Sequence, residues 1–414
     1  MDHQVEHQTV LGAQQREGQT ATMLLTNARL PHGSAATGPV DVAIAHGRIA
    51  AITPAAGRPG HDLAGALLLP SLVDGHVHLD KTVWGLPWRP NSGAATVRER
   101  IENERLARAS LPPVAERGAN LLRQMIGAGT TALRTHTDID DAHGLSNFHA
   151  TMELVARFKG QADIQVVAFP QSGIITRPGV ADLLAQALRE GADLIGGLDP
   201  AAIDGDARAH LDIVFGLAQR FDRGIDIHLH DRDPAGNAQL RDIAARTIAI
   251  GLQHRVTVSH AFSLGTPDAN DFAATADALA EAGVHILTSS PSAGPVPPVH
   301  ALRARGVVIH AGSDNIRDLW SPFGNGDMLE RALLIALRQG FRSDPDIAVA
   351  LSLCSDAAAL GLPAHRLVVG APADLIAVDA ETPTEAVANR PARKLVMKAG
   401  VILARDGRYC GPTP

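Results

Sequence analysis

The feature that most constrains the fold is an alternation of strand-like and helical segments through the middle of the chain. Between about residues 67 and 362, short apolar runs and amphipathic stretches follow each other every ~30–45 residues, about eight times. The apolar runs are TTALRTH, IQVVAFPQ, ADLIGGL, GIDIHLH, RVTVSH, HILTSS and VVIHAGSD. The clearest helical stretches are VAERGANLLRQMIGAG, RPGVADLLAQALREG, GDARAHLDIVFGLAQRF, ATADALAEAG and GDMLERALLIALRQG. This alternation predicts an α/β fold, a (β/α)8 TIM-like barrel.

A doubly wound parallel sheet would give a similar alternation. Such a sheet more often carries a glycine-rich fingerprint after its first strand, and this chain has none. The sequence also lacks a Walker-type phosphate loop, which argues against phosphate transfer. The barrel is therefore the favoured architecture.

Both ends of the chain have a different texture. MLLTNARL and VDVAIAHGRIAAITP near the start, and ADLIAVD and RKLVMKAGVILARDG near the end, predict short strands separated by turns. We therefore expect one small β-sandwich domain formed by residues 21–66 and 366–414. The barrel is expected over residues 67–365, and residues 1–20, which show no apolar periodicity, are expected to form a flexible tail.

Composition narrows the class of protein. The 414 residues are 45% hydrophobic and 20% charged, which allows a large core, and the formal net charge of −7 argues against binding nucleic acid. The two cysteines, Cys354 and Cys410, favour a reducing compartment, and no run of ~20 apolar residues predicts a membrane span. We expect a cytoplasmic enzyme with no nucleic-acid or membrane partner.

Polar residues gather where the predicted strands end. In a (β/α)8 barrel the carboxyl ends of the strands form the active-site face. In chain order these residues are His76, His78, His136, Gln171, His228, His230, His260 and Asp314.

The histidine pattern predicts a metal site. His76 and His78 lie two residues apart on a strand, so both imidazoles face one side and suit a first-row divalent cation. Each histidine alone is more often an ordinary core residue with a hydrogen-bond partner. Buried imidazoles are costly unless they bind a ligand or are hydrogen-bonded, so the joint pattern HxH, then His228, His260 and Asp314, indicates a metal centre.

Longer motifs carry a family resemblance. GHVHLDKT, FPQSGI, HLHD, SHAFSLG and SDNIRDLWSPFGNGDML together resemble the amidohydrolase superfamily, in its cytosine deaminase-like branch. Within that branch they are most similar to the triazine-degrading N-isopropylammelide isopropylamidohydrolases. The resemblance runs from about residue 27 to residue 403 and includes the predicted β-domain.

The resemblance implies a set of metal ligands. His76 and His78 match the ligands of the first barrel strand, His228 that of the fifth and Asp314 that of the eighth. Many relatives bridge two metals with a lysine that ends strand four, but ADLIGGLDP contains no lysine. We therefore expect one divalent ion per chain, zinc with iron as the alternative, since three histidines and one aspartate suit both.

The expected chemistry uses this ion to activate water. A divalent cation lowers the pKa of bound water from 15.7 to ~7–9, which supplies hydroxide near neutral pH. Asp314 can bind the ion and also take the proton of the water. His260 matches the strand-six histidine that contacts substrate or water in the family, and it can orient the nucleophile or stabilise developing charge.

One departure from the family concerns the proton shuttle. Cytosine deaminases carry a glutamate three residues after the strand-five histidine, and here Asp231, one methylene shorter, takes that place. His230 lies on the same strand face as His228, so it is the alternative shuttle. Lys81 is a further catalytic candidate. The alternative is that it forms an ordinary salt bridge with Asp80 or Asp138.

Three residues are candidates for substrate binding. The Gln171 amide suits the edge of a cyclic amide or amidine, and Asn315, beside Asp314, can do similar work. Trp320 offers a ring on which a flat heterocycle can stack, as Trp84 and Trp88 also do unless they serve core packing. His136 either lines the pocket or supports the residues that do.

Together these features predict hydrolysis of an exocyclic C–N bond of a nitrogen heterocycle, of the aminopyrimidine or N-substituted aminotriazine type, with release of ammonia or an alkylamine. The alternative is ring opening of a cyclic amide such as a hydantoin or lactam, which the missing strand-four lysine disfavours. A non-catalytic barrel should have lost at least one of the five metal-site residues, and none is lost. From the family we also expect a homo-oligomer.

Overall fold

The structure is a computed structural model of the 414-residue chain. It describes residues 23–31, 38–91, 93, 96–108, 110–232, 234–265 and 268–412. The predicted flexible tail, residues 1–20, lies outside the described residues. Across the part that is described, no helix is both long enough and apolar enough to cross a membrane.

Eight parallel strands form the nearly closed barrel that the sequence predicts. Each pairs with its neighbour in chain order. They are β6 Leu72–Val77, β7 Thr130–Asp138, β8 Asp163–Phe169, β9 Leu194–Leu198, β10 Gly224–Leu229, β11 Val256–His260, β12 His285–Thr288 and β13 Ile309–Ala311. Strands such as β9, LIGGL, are buried along their whole length, as expected of strands enclosed on both faces.

Helices surround the barrel and carry apolar residues on their inner faces. In the helix Val180–Arg189 the buried Val180, Leu184, Ala187 and Leu188 recur at helical spacing. The helices are α1 Val97–Arg108, α2 Val114–Gly127, α3 Ser146–Arg157, α4 Val180–Arg189, α5 Ala207–Phe221, α6 Ala235–Ala249, α7 Ala269–Glu281, α8 Val299–Ala304, α9 Met328–Gln339, α10 Asp344–Leu353 and α11 Pro383–Asn389.

Two further sheets come from the chain ends. Their strands are β1 Met23–Ala28, β2 Val40–Ala45, β3 Arg48–Pro54, β4 His61–Asp62, β5 Leu67–Pro70, β14 Leu375–Val378, β15 Arg393–Lys398, β16 Val401–Arg405 and β17 Arg408–Tyr409. The strand order is β3-β2-β1-β4 in one sheet and β17-β16-β15-β14-β5 in the other. Leu25 and Val42 of the first sheet share one apolar core with Leu375 and Leu395 of the second.

The sandwich continues directly into the barrel. β5 lies at the start of the range predicted for the barrel, and it pairs with β14 in the five-stranded sheet, while β6 begins two residues later. The residue boundaries of the two domains stay a prediction.

The barrel closes between its first and last strands. The Asp314 N–H donates to the His76 carbonyl oxygen at 2.7 Å, and Val77 bridges to Asp314 in parallel. Gly312 permits this approach, because a Cβ there would lie 2.5 Å from His76 Cβ and 2.6 Å from its backbone nitrogen. Closure therefore places two predicted metal ligands from distant parts of the sequence side by side.

Candidate active site

A cavity of about 360 Å³ opens at the carboxyl ends of the barrel strands. Most of the residues predicted for the site line it. They are His78, Lys81, Gln171, His228, His230, His260, Asp314, Asn315 and Trp320. The strand ends thus bring together residues separated by more than 200 positions in the sequence, as the barrel fold requires.

Three predicted metal ligands converge at the cavity. One nitrogen each of His76, His78 and His228 lie within 4.8 Å of one another. The fourth, Asp314, contacts two of these histidines: its Oδ1 is 3.7 Å from His76 Nε2 and 3.5 Å from His78 Nε2. Three imidazoles and one carboxylate form a donor set that suits a divalent first-row ion.

Ring nitrogens of two predicted ligands have no hydrogen-bond partner within the described chain. His76 Nε2 and both ring nitrogens of His228 are buried without a hydrogen-bond partner there. Burial lowers the pKa of His76 and of His228 well below the ordinary value, so both imidazoles are neutral and keep a lone pair. Buried polar atoms without partners are costly, and an ion at this place would satisfy them.

A hydrogen-bond relay fixes the ring of His76. Ser259 Oγ donates to Asp226 Oδ1 at 2.7 Å, so its lone pair accepts from His76 Nδ1 at 2.9 Å. Arg134 Nη1 in turn donates to Asp226 Oδ2 at 2.9 Å. Because Nδ1 carries the proton, Nε2 is the nitrogen free to bind an ion, which is how ligand histidines are commonly oriented.

Two histidines stand beside the ligand set. The rings of His230 and His260 stack with centroids 4.5 Å apart and planes 20° apart. His230 Nδ1 contacts Asp199 Oδ2 at 2.9 Å. Burial alone would lower the pKa of His230, but the Asp199 carboxylate raises it above the ordinary value. Burial lowers the pKa of His260 to about 3, and its Nε2 has no hydrogen-bond partner in the described structure.

The other shuttle candidate, Asp231, faces elsewhere. Its Oδ2 accepts a hydrogen bond of 2.7 Å from Gln239 Nε2 on α6. Among the described residues that line the cavity, His230 is present and Asp231 is not.

Lys81 sits in a buried group of charges. Asp80, Glu104 and Asp138, which we call the acidic cluster, surround it: its Nζ is 3.4 Å from Asp138 Oδ1 and 3.6 Å from Glu104 Oε2. Burial alone would lower the pKa of Lys81, but the acidic cluster raises it. Arg108 also pairs with Glu104 and Asp138. The salt bridge considered for Lys81 is therefore present, and the residue nevertheless reaches the cavity.

Hydrogen bonds orient the two amides of the cavity in opposite ways. Lys81 Nζ donates to Gln171 Oε1, so the Gln171 NH₂ group is left as a donor. Asn315 Nδ2 donates to Asp318 Oδ2 at 2.5 Å, so the Asn315 oxygen is left as an acceptor. The Trp320 indole donates to Glu104 Oε2 at 2.7 Å, which holds its ring in the cavity wall.

The remaining aromatic candidates lie off the cavity. His136 is buried beneath it, with its ring stacked 4.0 Å from that of His76 and its Nε2 3.7 Å from Asp226 Oδ2. Trp84 and Trp88 both lie under the Arg317 guanidinium, and Trp88 is 64% exposed.

Several residues that surround the site were not predicted from the sequence. Asp226 and Arg134 lie two residues before His228 and His136 on their strands, so the period of two could have placed them on the inner face. Glu104 and Asp199 gave no comparable signal, because one comes from α1 and the other from the turn after β9.

Comparison with known proteins agrees with this geometry. The Amidohydrolase family model matches residues 91–404. The chain is 31% identical over 355 residues to N-isopropylammelide isopropyl amidohydrolase of Pseudomonas sp. (strain ADP), covering 83% of this chain and 88% of that protein. The chain belongs to the amidohydrolase family. The family predicted from the motifs is thus confirmed, and with it the class of enzyme, a hydrolase of carbon–nitrogen bonds.

Solved amidohydrolase structures share the whole fold. N-isopropylammelide isopropylaminohydrolase from Burkholderia multivorans ATCC 17616 is 45% identical, with a TM-score of 0.89 over 94% of this chain and 100% of that chain. The 5-methylcytosine deaminase of Klebsiella pneumoniae, liganded with phosphonocytosine, is 26% identical, with a TM-score of 0.82 over 94% and 99%. The predicted barrel with its terminal β-domain is confirmed.

The relay behind His76 generates a prediction about metal affinity. Ser259→Ala removes the acceptor of His76 Nδ1, so the affinity for a divalent ion should fall by about 10–100-fold. Ser71→Ala is the matched control, because it removes another buried serine–histidine contact, 3.0 Å from His365 Nδ1, away from the ligand set. Competition with a chromophoric chelator measures both affinities. Equal affinities in Ser259→Ala and the wild type would contradict the relay.

Proposed function

We propose that the protein is a metal-dependent amidohydrolase that cleaves an exocyclic C–N bond of a nitrogen heterocycle, of the aminopyrimidine or N-substituted aminotriazine type. It releases ammonia or an alkylamine. The observation that carries the proposal is the convergence of Asp314 and of buried imidazoles with unpartnered ring nitrogens at a cavity whose amides present one donor and one acceptor. The substrates named for the relatives support the same class.

His76, His78, His228 and Asp314 would hold one divalent ion, zinc in our proposal. When bound, the ion supplies positive charge that acidifies water and polarises the bond to be cleaved. A single ion is favoured because two neighbouring donor groups already contain a protein cation: Arg134 pairs with Asp226, and Lys81 and Arg108 pair with Asp138. A third group, formed by His76, His260 and Asp314, shares two residues with the proposed ligand set.

The residues around the ion would manage protons. His260, neutral and with its Nε2 unpartnered among the described atoms, can orient the attacking water. His230 can take up and release a proton at Nε2 while Asp199 holds its Nδ1. Lys81 keeps its charge next to Gln171 and fixes the direction of that amide.

The paired amides suit a particular substrate edge. The NH₂ group of Gln171 would donate to a ring carbonyl or nitrogen, and the Asn315 oxygen would accept from a ring N–H. Cyclic ureides and amidines present both groups at the edge of one flat ring. The ring of Trp320 forms part of the wall against which such a ring can pack.

A product assay tests the function. We expect purified protein, reconstituted with zinc, to release isopropylamine from N-isopropylammelide or ammonia from 5-methylcytosine. His260→Ala and Asp314→Ala should each lower kcat by about 10²–10⁴-fold, the range for losing a positioned acid–base group. His149→Ala is the control, since it removes an exposed histidine that pairs with Glu190 on the outer helices. Release of a ring-opened acid from a hydantoin, with no amine from either heterocycle, would favour the alternative function.

The proton shuttle is tested by a pair of neighbouring variants. His230→Asn keeps a hydrogen bond but cannot titrate, so we expect kcat to fall by about 10²–10⁴-fold while the metal content stays intact. Asp231→Asn should cost much less, because that carboxylate faces Gln239. The opposite ranking would assign the shuttle to Asp231. Cytosine and its analogues would then become the leading substrates.

The cytoplasmic location and the homo-oligomeric state stay predictions from the sequence. Light scattering at micromolar concentration tests the second, and a monomer would refute it.

A further inference from the structure

Two arginines line the cavity in addition to Lys81. Arg232 follows the end of β10, two residues after His230, and Arg100 comes from α1. Arg100 lies one helical turn before Glu104, on the face of α1 that reaches Lys81 and Trp320. The two guanidinium groups therefore approach the cavity from different walls.

Arg232 lacks a partner within the described chain. Its Nη2 lies beside Gly294 in the loop after β12, where an added Cβ would come within 3.2 Å of it. Arg338, the other arginine at this glycine, donates to the Gly294 carbonyl oxygen. Arg232 is exposed, and no described atom forms a hydrogen bond or ion pair with its side chain, which lines the same cavity as His230 and His260.

The charges of the cavity leave this arginine unbalanced. Lys81 is matched by the acidic cluster, and the only acidic residue among the described lining residues, Asp314, faces the imidazoles. A guanidinium binds a carboxylate through two parallel hydrogen bonds, and it loses less on leaving water than an ammonium does. The mouth of the cavity is therefore suited to a negatively charged group.

We propose that Arg232, assisted by Arg100, forms a subsite for the carboxylate of an anionic heterocyclic substrate. The inference rests on the proposed function and narrows its substrate class to compounds that carry a carboxylate outside the scissile C–N bond. That carboxylate can belong to the leaving amine, as in an N-(carboxyalkyl)amino group, or to the ring itself.

Two matched pairs of compounds separate these sources. N-isopropylammelide and N-(1-carboxyethyl)ammelide differ by one methyl group replaced with a carboxylate on the leaving amine. 5-Methylcytosine and 5-carboxycytosine differ in the same way on the ring. For each pair, the measured quantity is the ratio of kcat/KM for the carboxylate compound to that for the methyl compound.

We expect Arg232→Gln to lower this ratio by about 10–100-fold in one of the two pairs, the loss of a charge-assisted hydrogen-bonded pair. The affected pair identifies the source of the carboxylate. Arg100→Gln should lower the same ratio by a smaller factor. Arg232→Lys should lower it less than Arg232→Gln does, because the positive charge remains. Arg98→Gln is the control, since Arg98 is exposed on α1 and is not a lining residue.

Ratios within about twofold of the wild type for Arg232→Gln in both pairs would overturn the subsite, even if the neutral compounds are hydrolysed. If none of the four compounds is hydrolysed, the proposed function fails. The subsite is then judged from the dissociation constants of the same compounds by calorimetry. If Arg232→Gln lowers the affinity for the carboxylate compound relative to the methyl compound, the subsite is supported. If it leaves that ratio of affinities unchanged, the subsite is refuted.

Discussion

The backbone hydrogen bond from Asp314 to His76 closes the barrel, and the proposed metal centre depends on it. The bond is 2.7 Å long and joins the first barrel strand to the residues that follow the last. It sets a carboxylate from one end of the barrel beside imidazoles from the other. In this position Asp314 has a φ of 63°, in the left-handed region, and His260 has a φ of 72°. Such conformations cost on the order of 1–3 kcal/mol each and persist where the surrounding structure enforces them.

Buried charge is organised around this closure in two separate networks. One runs from His76 through Ser259 and Asp226 to Arg134 and supports the ligand set from below. The other joins Lys81 to the acidic cluster and sets the direction of Gln171 at the cavity wall. Because each network contains its own cation, neither requires a metal ion for charge balance. The ligand set is different, since His76 and His228 are neutral and its one carboxylate faces no lysine or arginine within the described chain.

The sequence predicted the barrel because its strands and helices differ in period and alternate regularly. It predicted most cavity residues because parallel strands end at one face, so that His228 and His260 could be grouped from the sequence alone. The sequence did not predict that α1 contributes Glu104 and Arg100 to the site, because the placement of this helix over the cavity depends on tertiary packing. The sequence also did not predict that Asp231 faces Gln239, because side chains alternate between the two faces only within a strand and Asp231 follows the end of one.

The proposed function depends on one divalent ion held by His76, His78, His228 and Asp314. The most direct test is anomalous diffraction from crystals of the zinc-reconstituted protein. We expect one strong peak per chain, about 2.0–2.2 Å from an imidazole nitrogen of each histidine and from an oxygen of Asp314. Two peaks per chain, or a single peak among His78, Asp80 and Asp138 in place of this set, would contradict it.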